Sequence, residues 1–97
     1  MKKRPVSHAL FALLVLTTPA SADCFADYKA KKENPLRLHY GVIKIDSTPC
    51  AMSNTVQKTV AQRLSAAGWQ LLQVGSVFDD SGLGKRKKDA GEYFLRF

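Results

Sequence analysis

The sequence predicts a small α+β domain in which one amphipathic helix packs on a three-stranded sheet. Three observations support this prediction: a helical repeat of apolar residues over 53–67, β-forming segments at 36–45 and 69–78, and an alternating aromatic segment at 93–97. The order strand, helix, strand, strand restricts the topology, because a right-handed crossover makes the first two strands parallel and a hairpin joins the last two. The closing strand lies either between the other two or at an edge, and we favour the centre because it is short and nearly all apolar.

The first 22 residues have the pattern of a cleavable secretory signal. Basic residues at 2–4 precede an apolar run at 9–16, and Ala20-Ser21-Ala22 forms an A-x-A cleavage site. The apolar run is shorter than the roughly 20 residues that span a bilayer, so we expect no permanent membrane span. Cleavage after Ala22 predicts an exported protein, periplasmic or extracellular, that begins at residue 23.

The cysteines Cys24 and Cys50 predict a disulfide. An even pair in so short a chain, in an oxidising compartment, is typical of a structural bridge, whereas a redox-active pair has C-x-x-C spacing. In the chain-entropy model, closing this loop stabilises the fold by about 3.5 kcal/mol. The N-terminal segment 23–35 is polar and basic, which indicates a short helical turn that the disulfide ties to a single domain at 36–97.

The elements of that domain follow in order. In the first strand, 36–45, the apolar alternation changes phase at Gly41, which indicates a bulge. The helix has Ser53 or Asn54 as its N-cap. Gly68 is the expected left-handed residue at its C-terminal end, and Trp69 begins the second strand. Residues 79–92 are charged and contain glycine, so we expect a hairpin loop before the closing strand.

Several of these residues also carry a resemblance. The helix end at 64–67, the segment Gly68-Trp69-Gln70-Leu71-Leu72 with Val74, and the aromatic end at 93–97 resemble a family of small bacterial domains of unknown function. In that family a helix runs into Gly-Trp and a β-hairpin. The resemblance covers about residues 37–97. It implies the fold described above and brings no established catalytic residues.

The charged residues offer one candidate binding feature. The formal charge of the chain is +7, but three of these charges lie at positions 2–4, so the mature chain carries about +4. This modest charge argues against a nucleic-acid partner. The run Lys85, Arg86, Lys87 and Lys88 is a candidate for contact with an anionic cell-envelope surface. The alternative interpretation is a solvated loop that protects a sheet edge.

Catalytic and metal-binding patterns are missing from the mature sequence. His39 is its single histidine, and one histidine with two paired cysteines cannot form a three- or four-ligand zinc site. No residues supply a nucleophile, a base and an oxyanion site together, so we expect neither an enzyme nor a cofactor. One helix cannot cover both faces of a sheet. We therefore expect a non-catalytic exported module that binds a protein partner, or a second copy of itself, through the open sheet face.

Overall fold

The computed structural model describes residues 23–97, so the predicted signal and its cleavage site lie outside the described residues. In chain order the elements are strands β1 (Cys24–Lys32) and β2 (Arg37–Ile45), helix α1 (Asn54–Ala66), strand β3 (Gln70–Phe78) and helix α2 (Gly84–Ala90). Single 3-10 turns flank α2 at Asp80–Gly82 and Gly91–Tyr93. The predicted fold class is confirmed: the domain is α+β, with a helix on a three-stranded sheet.

The strand in the centre of the sheet is β1. The sheet order is β2-β1-β3, and β1 is antiparallel to both neighbours, so β2 and β3 run parallel to each other on either side of it. The sequence predicts a helical turn at 24–34 and favours 93–97 as the central strand. Both predictions are wrong. The three lysines of β1 hid the strand. Lys29 is exposed between two fully buried residues, and Lys31 and Lys32 are partly buried at the strand end.

The first face of the sheet, here called the α1 face, carries the main hydrophobic core. Alternate residues of β1 point to this face, as the period of two in a strand requires. They pack against residues of β2 and against one side of α1, where burial stabilises the fold by roughly 1.5–3 kcal/mol for each large side chain. The core comprises Cys24, Ala26, Tyr28, Ala30, Ile43, Ile45, Val56, Val60, Leu64 and Trp69.

Both ends of α1 agree with the sequence signals. Ser53 is the N-cap, and its hydroxyl accepts a hydrogen bond of 3.1 Å from the Val56 N–H. Gly68 adopts a φ of +86°, the left-handed conformation that glycine tolerates best. Trp69, which follows, is only 6% exposed. The junction between the helix and β3 is therefore as predicted.

The second face, here called the α2 face, is covered in part by the C-terminal region. Ala90 of α2 is buried against Phe25 and Val42, and further apolar side chains pack around them: Tyr40, Phe78, Leu83 and Phe94. The prediction of a hairpin loop at 79–92 is thus corrected, because a short helix occupies 84–90. Within residues 23–97, the segment 93–97 forms no strand, and its backbone pairs with the sheet through one isolated parallel bridge, from Phe94 to Val42.

The disulfide between Cys24 and Cys50 is confirmed, with 5.5 Å between the two Cα atoms. It ties the start of the central strand to the connection between β2 and α1. Since Cys24 is itself part of the core, the bridge holds the sheet and the helix connection at one point. No helix within residues 23–97 is long and apolar enough to cross a membrane.

Candidate binding surface

A buried ion pair attaches α2 to the sheet. The Arg86 Nε donates to Asp27 Oδ2 at 3.0 Å, and the Tyr40 hydroxyl donates to the same oxygen at 2.9 Å. Asp27 Oδ1 accepts from the Ser76 N–H at 2.7 Å and from its hydroxyl at 2.9 Å. Burial opposes ionisation of Asp27, but these hydrogen bonds outweigh it and lower the pKa of the carboxyl. Asp27 therefore carries its charge at neutral pH with each oxygen satisfied.

The remaining contacts of Arg86 also point inward. Its guanidinium lies 3.9 Å from the centre of the Phe78 ring, and one Nη donates to the Gly82 carbonyl at 2.8 Å. The glycine is needed there, because a Cβ at position 82 would lie 2.7 Å from Phe78 and 2.8 Å from Arg86. The structure therefore separates the predicted basic run into two parts. Arg86 is a structural anchor, and the three lysines around it are exposed: Lys85, Lys87 and Lys88.

The α2 face is uncovered beyond this ion pair, and two leucines are exposed there. Leu38 on β2 is 65% exposed and Leu72 on β3 is 48% exposed. Lys29 of the central strand is exposed between them, and all three line one groove of about 310 Å³. We call this the Leu38–Leu72 groove. A smaller hollow beside Asp27 shares two lining residues with this groove, Lys29 and Tyr40.

A β-bulge accounts for the position of Leu72. Lys29 pairs with Gln73 and Ala30 pairs with Leu71, so Leu72 is an extra residue without a partner on β1. A second irregularity at Gly75 makes room for the ion pair, because a Cβ there would lie 2.8 Å from Asp27 Oδ1. Both irregularities lie on β3. The sequence of β3 reads as an ordinary strand and did not indicate either of them.

The charge at the groove is positive. Lys29 forms no salt bridge with the described residues, whereas its neighbour Lys31 contacts Glu33 at 2.7 Å. The Lys31–Glu33 pair is exposed to water, so it offsets little of the positive charge at the groove. An exposed apolar surface around a lysine without a partner is suited to a ligand that combines an apolar side chain with a carboxylate.

The other predicted residues have structural positions. The disulfide and the Gly68-Trp69 junction lie on the α1 face, away from the Leu38–Leu72 groove. No group of three His, Cys, Asp or Glu side chains in residues 23–97 is arranged to hold a metal ion. His39 is enclosed by aromatic rings, and its Nε2 lies 2.8 Å from the Tyr28 hydroxyl. That the chain is not an enzyme stays a prediction.

The chain was also compared with known proteins. No protein-family model, no curated protein and no solved structure matches it. The resemblance to a family of small bacterial domains therefore stays a prediction. The case for a function rests on the surfaces of the molecule, above all on the Leu38–Leu72 groove.

Proposed function

We propose that this protein is an exported, non-catalytic module that binds a protein partner through the Leu38–Leu72 groove. One observation carries the proposal: the two leucines stay exposed on either side of Lys29, on the half of the sheet that α2 leaves uncovered. Exposed apolar patches of this kind, rimmed by polar residues, mark interaction sites in soluble proteins. Elsewhere the sheet packs against α1, α2 and the segment 93–97.

The charge of the groove favours a different protein over a second copy. In a two-fold symmetric dimer the same patch faces itself, so Lys29 and Lys31 of one copy would approach those of the other. Juxtaposed like charges oppose association, whereas an acidic partner would neutralise them. The partner we propose presents an apolar side chain to Leu38 and Leu72 and a carboxylate to Lys29.

Export supports the same interpretation. The Cys24–Cys50 bridge is of the kind that persists in oxidising compartments, and the sequence before residue 23 has the pattern of a secretory signal. A partner in the cell envelope or outside the cell would meet the protein with this disulfide formed. The periplasm and the extracellular space are both compatible with this proposal.

Site-specific crosslinking tests the proposal. A photoreactive side chain at Leu72 should capture a partner in the native cells, whereas the same group at Met52, which is 44% exposed, should not. Purified partner should then bind Leu72→Ser or Lys29→Glu at least about tenfold more weakly than wild type, since each change costs about 1.4 kcal/mol or more. Met52→Ser is the matched control and should bind normally.

Two outcomes would count against this proposal. Equal capture from positions 72 and 52 would show that the groove is not the site. If position 72 crosslinks two copies of the chain and sedimentation shows a dimer, the groove binds a second copy and not an acidic partner. Sedimentation of the purified wild type as a monomer is the result we expect.

A second candidate function is association with an anionic envelope surface through α2. The observation that favours it is the arrangement of the helix: Arg86 faces the sheet, while Lys85, Lys87 and Lys88 are exposed. Each lysine near an anionic membrane contributes about 1 kcal/mol, so three could strengthen binding by up to about 100-fold at low salt. Binding to anionic lipid vesicles should therefore decrease when all three are changed to Gln. Lys58→Gln is the control for a lost surface charge. An unchanged affinity of the triple variant for the vesicles would eliminate this candidate.

A further inference from the structure

The outer edge of β2 is covered by the C-terminal segment 93–97. The Leu95 N–H donates to the Val42 carbonyl at 2.8 Å, next to the bridge that Phe94 forms with Val42. Arg63 of α1 continues the cover, because its two Nη atoms donate to the carbonyls of Lys44 and Phe97, each at 2.5 Å. Polar groups at this strand edge, which could otherwise pair with another chain, are therefore occupied.

Aromatic stacking on His39 holds the same segment on the α1 face. The Tyr93 ring lies parallel to the imidazole with 3.7 Å between ring centres, and Phe97 lies at 5.9 Å. Trp69 meets the imidazole edge-on at 4.2 Å. The backbone of Leu95 opposes these contacts. Its φ of +58° is a left-handed conformation that is unfavourable for leucine. The stacking of Tyr93 and Phe97 therefore holds the segment closed against an unfavourable backbone conformation at Leu95.

The hydrogen bond of His39 defines its protonation state. Burial raises the pKa of Tyr28, so the phenol keeps its proton and donates to His39 Nε2 at 2.8 Å. The imidazole proton then lies on Nδ1, which is buried and has no hydrogen-bond partner among residues 23–97. In the other neutral tautomer, the Tyr28 proton and Nδ1 would both have no partner. The neutral imidazole with its proton on Nδ1 leaves fewer groups unsatisfied.

A second proton would disturb this arrangement. Nε2 would become a donor that faces the Tyr28 hydroxyl, so the phenol proton would lose its acceptor, and two buried donors would be unsatisfied. Burial is the main reason why the pKa of His39 is lowered. The cations Lys32 and Arg96 act in the same direction, and Glu92 acts against it. Arg37 and Lys32 also lie over the Trp69 ring, at 5.9 and 4.5 Å from its centre.

We infer that the segment 93–97 is an acid-released cover of the β2 edge, held closed by neutral His39. Protonation places a charge on an imidazole that the Tyr93 ring shields from water, and it leaves two buried donors unsatisfied. Release of the segment lets water reach the charged ring, so the segment leaves Val42 and the edge becomes free to pair with an extended segment of another chain. The pH dependence follows from the difference in proton affinity between the two states. His39 is harder to protonate when the segment is closed, so the closed state is favoured above pH about 6.5. This stabilisation is lost as the pH falls below that value.

Hydrogen exchange of the Leu95 amide tests the inference. Its protection should be high at pH 7.5, after correction for intrinsic exchange, and should be lost towards pH 4.5, while amides in α1 stay protected. The emission of Trp69, the only tryptophan, should change over the same range because it contacts His39. His39→Phe keeps an aromatic ring without the titration, so its Leu95 amide should stay protected at acidic pH. Glu92→Gln should move the transition to lower pH, because it removes the acid that raises the pKa of His39.

Persistent Leu95 protection at pH 4.5 in the wild type would overturn the inference, and so would an identical loss in His39→Phe. If His39→Phe does not fold, the histidine can be titrated directly by NMR. Its pKa should rise towards the ordinary value when Tyr93→Ala removes the stacked ring, and an unchanged pKa would contradict the proposed link. None of these measurements depends on the Leu38–Leu72 groove or its partner.

Discussion

The two faces of the sheet are held by different chemistry. The α1 face is an apolar core in which the residues of β1, β2 and α1 follow the periods of a strand and a helix. The α2 face has a smaller apolar cluster, and its helix is attached by the ion pair between Asp27 and Arg86. A short helix with few apolar residues can therefore cover part of a sheet when one largely buried ion pair fixes its position.

The largest effect should come from the α1 face. Trp69→Ala should lower the free energy of unfolding by roughly 3–5 kcal/mol, because it removes a buried ring that packs on the core. Denaturant unfolding monitored by circular dichroism measures this change. Leu72→Ala on the exposed part of the other face is the control and should change stability by less than about 0.5 kcal/mol. Equal effects would mean that the core has been assigned to the wrong face.

Breaking the ion pair should cost less. Arg86→Met leaves the Asp27 carboxylate without its charged partner, and we expect a loss of roughly 2–3 kcal/mol, since both side chains retain some exposure to water. The double variant Asp27→Asn with Arg86→Met should be less destabilised than the sum of the single variants. Additive losses in this cycle would show that the two residues do not interact as described.

The same pair predicts a pH dependence. The pKa of Asp27 is lower in the folded protein than in the unfolded chain, so its contribution is complete above pH about 4 and is lost as the pH falls further. Acid unfolding of the wild type should therefore be steeper between about pH 4 and 2 than that of Asp27→Asn. Identical profiles for the two proteins would contradict the description of this carboxylate.

The smallest effects compare two glycines. Gly68→Ala should destabilise by about 1 kcal/mol, because alanine is disfavoured at a φ of +86°. At the first residue of α2, no atom lies within 4 Å of the position that a Cβ would take. Gly84→Ala should therefore stabilise by up to about 1 kcal/mol through better helix propensity. Thermal melts of the two variants should shift in opposite directions.

The α1 face was largely predictable from the sequence, and the α2 face was not. The repeat Val56, Val60, Leu64 and the cap Ser53 predicted α1 because apolar spacing and capping are local signals. No such local signal marks α2. The residues that face the sheet are Leu83, just before the helix, Arg86 and Ala90. They have helical spacing, but the middle residue is an arginine, which in a sequence indicates a solvent-exposed position.

The central strand was missed for a related reason. Residues Cys24, Ala26 and Tyr28 alternate as a strand requires, but Lys29 and its basic neighbours gave the segment the composition of a surface turn. Lys29 is compatible with a central strand because α2 leaves that half of the face uncovered. The Leu38–Leu72 groove could not be predicted either. It depends on a bulge and on the place where α2 ends, and both are set by tertiary contacts.

Carbene footprinting tests whether the uncovered half of the α2 face is a binding surface. Purified protein should be labelled at Leu38 and Leu72 and protected at Phe25, which is 4% exposed. In the native cells, the account predicts that both leucines lose most of their labelling, while exposed Met52 is labelled as in the purified protein. Equal labelling of Leu38 and Leu72 in cells and in solution would contradict the account.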